Sequence, residues 1–229
     1  MGKSKAPPPV AFQHTGQERT YFVYAPDGLS EHCPVVLLLH GSGRDGLSLL
    51  QPWRNVADEH GVLLVAPNSA SSDQWSPYAD DPAFFRAVLA DVATQHSFDH
   101  TKVVVFGHSA GAMWGLQLGL LDSEQFAAVA VHAGLIPDEA LGLIGRARRK
   151  VPYQIQIGDR DPFFPTAQVR RTADALTSAG FSVDLVEIPR HDHDYYRIAK
   201  KVNRTAWTFF AAVLADVGSD TDSEAAARE

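Results

Sequence analysis

The stretch VVVFGHSAGAMWG, residues 103–115, decides how this chain is read. It contains Gly-x-Ser-x-Gly at Gly107–Gly111. Five letters alone carry little, because residues as common as glycine and serine produce the pattern by chance about once in ten chains of this size. The flanks carry the information. VVVF is a β-branched run that predicts a strand, and AMWGLQLGLL predicts a helix. Gly107, His108, Ser109, Ala110 and Gly111 are then the whole connection between them. A turn that sharp strains its central residue, and glycines two before and two after remove the resulting crowding. The Ser109 hydroxyl is held above the sheet, beside a helix N-terminus whose free N–H groups suit an anion. The competing reading is a glycine-rich turn with a capping serine; a strand on one side and a helix on the other favour the nucleophile turn.

Outward from this stretch, apolar runs alternate with helical patterns. TYFVYAP (20–26), PVVLLLH (34–40), VLLVAP (62–67), KVVVFG (102–107), AAVAVHAG (127–134), PYQIQIG (152–158) and FSVDLVEIP (181–189) predict strands. Several are continuous β-branched and leucine runs, as in strands covered on both faces. Helices are predicted near residues 49–60, 82–95, 110–121, 166–179 and 195–216, with Gly61 and Gly180 closing two of them. The stretch IPDEALGLIGRARRK predicts at most a short helix. This order implies an α/β fold with a mostly parallel central sheet and helices on both faces. Residues 1–19 are expected to be a flexible N-terminal segment, 20–217 the catalytic domain, and 218–229 a disordered acidic tail.

Composition sets outer bounds. The chain has 229 residues and a net charge of −7, which argues against nucleic-acid or anionic-membrane partners. No apolar run is long enough to span a bilayer. MGKSKAPPPV lacks the apolar core of a secretory signal, so the expectation is a cytoplasmic protein, or an exported one whose signal is absent from this chain. Cys33 is the only cysteine, so no intrachain disulfide forms.

A serine needs a base, a group that orients the base, and donors for an oxyanion. The acid is expected at the end of PYQIQIG, where Asp161 is preferred over Asp159. The base is expected in RHDHDYY, where His193 is preferred and His191 is the alternative. The pair His191-x-His193 also suits a metal, but no third ligand stands at a fitting spacing, so neither metal nor cofactor is expected. The oxyanion donors are expected to be the backbone N–H groups of Ala110 and of Ser42, in HGSGRDG. That loop lacks the lysine and Ser/Thr of a nucleotide-binding loop. Trp75, Tyr78, Phe163, Phe164 and Tyr195 are candidates to line an acyl or aryl pocket. Residues 134–152 leave no room for a large lid.

Over about residues 20–215 the chain resembles the α/β-hydrolase superfamily, on LLLHGSG, GHSAG, the acid in GDRDPFFP and the histidine in HDHDYY, in that order. HGSGRDG, APNS, Trp75, DDPAFFRAVLAD and FGHSAGA are most similar to bacterial esterases related to polyhydroxybutyrate depolymerases and feruloyl esterases, and also to small phospholipase/carboxylesterase enzymes. The resemblance implies hydrolysis of small-molecule carboxylic esters through an acyl-enzyme. A thioesterase or serine peptidase with the same triad, or a non-catalytic hydrolase fold used for binding, are the alternatives.

Overall fold

The computed structural model describes residues 7–226, with side chains to residue 216. Eight strands form one open sheet in the order β1-β2-β4-β3-β5-β6-β7-β8. They are β1 (Val10–His14), β2 (Gln17–Tyr24), β3 (Val35–Leu39), β4 (Leu63–Pro67), β5 (Val103–His108), β6 (Ala128–His132), β7 (Tyr153–Gly158) and β8 (Val183–Ile188). The strands from β3 to β8 pair in parallel, and β1 and β2 run antiparallel at one edge. In the centre, β3 lies against β5 with Leu39 opposite Gly107. This is the mostly parallel α/β architecture expected from the alternating runs.

The period of two along β3 shows why the sheet must be covered twice. Val35, Leu37 and Leu39 join one core, with α2 (Pro82–Ala93), α3 (Ala110–Leu121) and α4 (Thr166–Ser178). Val36 and Leu38 join the other, with α1 (Gly46–His60) and α5 (Tyr195–Ala226). A strand buried on both faces has no solvent side to mark with polar residues. Gly61 closes α1 in the left-handed conformation, φ 65°. Asp81 caps α2 through a bond from the Phe84 N–H, with Pro82 in the first turn. The 136–150 stretch holds 3₁₀ turns over Asp138–Arg146.

Two boundaries differ from the expectation. The segment expected to be flexible to residue 19 contains β1 and the start of β2, joined by a hairpin turn. Thr15 and Gly16 both take positive φ there, 48° and 79°. That is the backbone twist a two-residue hairpin needs, and the Thr-Gly pair between alternating residues is its signal. At the other end α5 continues to Ala226, through most of the stretch expected to be disordered. The helix crosses residues 218–223 despite their poor helix propensity, because each residue added to a formed helix brings its own backbone hydrogen bond. Residues 1–6 and 227–229 of these two segments lie outside the described residues. Among the described residues no helix is long and apolar enough to cross a membrane.

The polar loop between β4 and α2 is organised by one buried carboxylate. Asp80 has no exposed side-chain surface and accepts from Arg19, at 2.5 Å. It also accepts from the backbone N–H groups of Ala70, at 2.9 Å, and Ser76, at 2.7 Å. Arg19 lies over the Phe84 ring and donates to the Asn68 and Ala79 carbonyls. A buried charge is tolerable only when paired and bonded in this way. Asp80→Ala is expected to lower unfolding stability by about 3–5 kcal/mol, because it strands the Arg19 charge; urea titration of both proteins measures it.

Candidate active site

The turn after β5 is as tight as its glycines require. Ser109 has φ 56° and ψ −118°, a conformation L-residues hold only when their surroundings impose it. A Cβ on Gly107 would sit 2.2 Å from the Gly111 carbonyl oxygen, and one on Gly111 would sit 1.9 Å from that of Leu39. No side chain fits at either position. The Ser109 N–H donates to the His132 carbonyl at 3.1 Å, and its own carbonyl accepts from Ala112 and Met113. Ala110 opens α3, where the first N–H groups have no partner within the helix.

His193 lies between Ser109 and Asp161. Its Nε2 is 2.9 Å from Ser109 Oγ, and its Nδ1 is 2.8 Å from Asp161 Oδ2. The other Asp161 oxygen accepts from the N–H groups of Phe163, at 2.9 Å, and Phe164, at 3.0 Å. Burial pushes the Asp161 carboxyl up, but the His193 bond and the two backbone donors outweigh it and hold the group below the usual carboxylate range. An acceptor-only carboxylate on Nδ1 places the ring proton there and leaves Nε2 to face the hydroxyl.

The HGSG loop is braced from below. His40 Nδ1 lies 2.9 Å from the Gly41 carbonyl, and His40 Nε2 accepts from the Ser69 N–H at 3.2 Å. The tautomer with hydrogen on Nδ1 satisfies both. Holding the Gly41 carbonyl toward His40 turns the N–H of the same trans peptide, that of Ser42, the opposite way. The next N–H, that of Gly43, is engaged by the Ser72 carbonyl at 2.7 Å. Ser42, its N–H turned away from His40, lines a cleft of about 310 Å³ with Arg44, His108, Ser109, His193 and Tyr196.

Not every expected pocket residue meets the cleft. Trp75 is buried, donates its indole N–H to the His40 carbonyl at 2.9 Å and packs on the His40 ring. It supports the loop from inside. Tyr195 borders the cleft floor but exposes no surface; its hydroxyl is bonded to Asn203 and its ring stacks on His108. At the start of α5 adjacent side chains diverge, and it is Tyr196 that reaches the mouth, with the Arg44 guanidinium 4.9 Å from its ring centre. Phe163 and Phe164 flank His193 at 4.9 and 5.7 Å, Phe163 being 69% exposed. Tyr78 stands out in solvent.

Sequence reasoning passed over Arg44, His108, Tyr196 and His132. His132 had a legible signal, a polar residue ending the buried strand AAVAVHAG at the sheet edge where ligands bind. His191, the alternative base, is buried, with its Nε2 3.1 Å from His132 Nε2. His132 Nδ1 is in turn 3.1 Å from His108 Nδ1.

The family model described as Dienelactone hydrolase family matches residues 74–226. Among curated relatives, a poly(3-hydroxybutyrate) depolymerase of Ralstonia pickettii is 29% identical over 106 residues, 41% of this chain and 22% of that protein. Feruloyl esterase B of Thermothelomyces thermophilus is 27% identical over 145 residues, 58% of this chain and 48% of that protein. The chain thus spans less than half the length of either relative. An S-formylglutathione hydrolase from Agrobacterium tumefaciens has a similar structure, with a TM-score of 0.72 at 20% identity, covering 90% of this chain and 94% of that one. The poly(3-hydroxybutyrate) depolymerase LpqC of Bordetella parapertussis has a TM-score of 0.68 at 21% identity, covering 91% and 94%. These likenesses establish the α/β-hydrolase type of fold.

The buried histidines are expected to make the protein acid-sensitive. Burial and the neighbouring His193 push His108 down to about 3, burial and His108 push His132 well below its usual value, and burial lowers His191. Above a pH of about 6.5 neither folded nor unfolded chain protonates them, and they add no pH dependence. As pH falls from there toward about 3, the unfolded chain takes up protons that the folded one refuses. Thermal melts are expected to show Tm falling steadily below pH 6.5, with substitution of His132 by Gln flattening the fall.

Proposed function

The chain belongs to the dienelactone hydrolase family, and on that premise we propose that it hydrolyses small carboxylic esters through an acyl-enzyme on Ser109. The observation that carries this is the pair of bonds on His193, Ser109 Oγ to Nε2 at 2.9 Å and Nδ1 to Asp161 at 2.8 Å, above a turn that only glycines permit. A serine hydroxyl buried for structural reasons has no need of a histidine–carboxylate pair directed at it.

In this reading His193 Nε2 takes the Ser109 proton as Oγ attacks the ester carbonyl carbon. The carbonyl π electrons move to oxygen, and the Ser42 and Ala110 N–H groups hold that oxyanion. Asp161 fixes the tautomer and stabilises the imidazolium. Collapse of the tetrahedral species breaks the C–O bond to the alcohol, which leaves with the proton from His193. Water, deprotonated by His193, then attacks the acyl carbon; the acid departs and Ser109 regains its proton. None of these steps calls on a metal or cofactor.

The cleft suits a compact ester. It lies open, with no inserted lid between β6 and β7, and its mouth carries the exposed Phe163 and Tyr196 rings. These favour a short acyl or aryl group over a long chain that would need an enclosed tunnel.

Ser109→Ala is expected to lower kcat on a 4-nitrophenyl ester by about 10⁶-fold, and Asp161→Asn by about 10⁴-fold through loss of the correct tautomer. A fluorophosphonate adduct mapped by mass spectrometry should fall on Ser109. A wild-type protein that takes no adduct and turns over no ester excludes the reading. Matched thioesters and anilides in the same assay separate esterase from thioesterase and peptidase.

A further inference from the structure

Three histidines outside the Ser109–His193–Asp161 set form a continuous line beneath it. His108 Nδ1 is 3.1 Å from His132 Nδ1, and His132 Nε2 is 3.1 Å from His191 Nε2. His191 Nδ1 faces Asp192 at 3.9 Å, at the surface. All three rings are buried, His132 completely. The two contacts use opposite nitrogens of His132, so no single metal ion could be shared by the three. They are hydrogen bonds, and their direction can be read. His108 Nδ1 also lies 3.3 Å from the His132 carbonyl, which only accepts, so the proton sits on His108 Nδ1. His132 Nδ1 is then an acceptor, His132 Nε2–H donates to His191 Nε2, and the remaining His191 proton points toward Asp192.

Each ring is joined to a different part of the proposed machinery. His108 precedes Ser109 and packs against His193, the ring centres 5.1 Å apart and the planes tilted by 37°. The His132 carbonyl accepts the Ser109 N–H at 3.1 Å. The His191 carbonyl accepts the Arg160 N–H at 2.9 Å, next to Asp161, and stands so close to Gly158 that a Cβ there would be 2.2 Å away. His191 also lies two residues before His193. The ends of β5, β6, β7 and β8 are thus tied at one place. Apolar residues would fill this space without the desolvation cost of three imidazoles, whereas a fully bonded polar chain defines one geometry.

We propose that His108, His132 and His191 are positioning residues, a neutral imidazole chain that holds the loops carrying Ser109, Asp161 and His193 in register. This rests on the hydrolase reading above. The chain works only while all three are neutral: a second proton on His132 would set donor against donor at His108. The titratable groups around it are His193, Asp161, Asp192, Asp194, Arg197, Tyr195 and Tyr196.

The test compares His132→Leu, which removes both bonds at similar size, with His132→Gln, which can still accept at one end and donate at the other. The rate is taken per active site titrated with fluorophosphonate, so unfolded molecules do not count. His132→Leu is expected to lower kcat about 10²-fold with KM changed less than about threefold, and His132→Gln to regain part of the loss. A folded His132→Leu protein with kcat per site within about twofold of wild type overturns the proposal. If that variant does not fold, His191→Leu, at the outer end of the chain, is read by the same criterion. Independently of activity, ¹⁵N spectra of labelled histidines should show His132 neutral with its proton on Nε2 at pH 6; an imidazolium signal there overturns it. A wild-type protein inert to every ester is a failure of the hydrolase reading and leaves the spectroscopic result standing.

Discussion

No atom fits between the carbonyl of Leu39 and the first turn of α3. A methyl group on Gly111 would lie 1.9 Å from that oxygen, and one on Gly107 would strike Gly111 itself. This contact makes the short connection from β5 to α3 possible and forces Ser109 to positive φ. The helix can then start directly over the central strands, so its unpaired N–H groups and the serine hydroxyl share one small volume. Everything proposed for the site depends on that packing. Had either glycine been any other residue, α3 would have to lift away from the sheet.

Around this contact the protein places polar groups where they hold backbone. Asp80 gathers Arg19 and two loop N–H groups, and its carbonyl receives the Trp114 indole N–H. His40 fixes the Gly41 peptide, and Trp75 fixes the His40 carbonyl. Asn203 links Tyr195 to the Pro52 carbonyl across α1 and α5. These groups lie beside the cleft and under it. Loops at strand ends cannot satisfy their own backbone groups, and the buried side chains supply the missing partners. Where those side chains are buried histidines, the same arrangement is expected to lose stability in acid.

The fold was legible because β-branched runs and helical periods alternate from residue 34 onward, the stretch IPDEALGLIGRARRK apart. Ser109, Asp161 and His193 could be chosen because strand ends are where such folds present side chains. His193 is preferred over His191 from the sequence, although both stand in one loop; what the structure adds is the His191–His132 bond, which shows why the first of them turns inward. Trp75 supports the loop from inside instead of lining the cleft, as one-dimensional reading allowed. An aromatic near a cleft in sequence can face the cleft or support it from inside, and one-dimensional spacing does not distinguish the two. The histidine chain was invisible because its members lie on three different strand ends, joined by no sequence interval. The N-terminal hairpin was missed although its Thr-Gly turn is written plainly.

The pairing of Leu39 with Gly107 across β3 and β5 has a consequence for how such a site varies. HGSG follows β3 and the serine turn follows β5, so the two halves of the proposed oxyanion hole hang from adjacent strands. Their separation is set by the inter-strand repeat of about 4.8 Å, a length no loop sequence alters. Sheet spacing acts as a ruler for the reacting centre, while the cleft mouth at Arg44, Phe163 and Tyr196 is free to diverge. Substrate range and chemical competence are therefore separable in this architecture, one carried by surface side chains and the other by the hydrogen-bond geometry of the sheet itself.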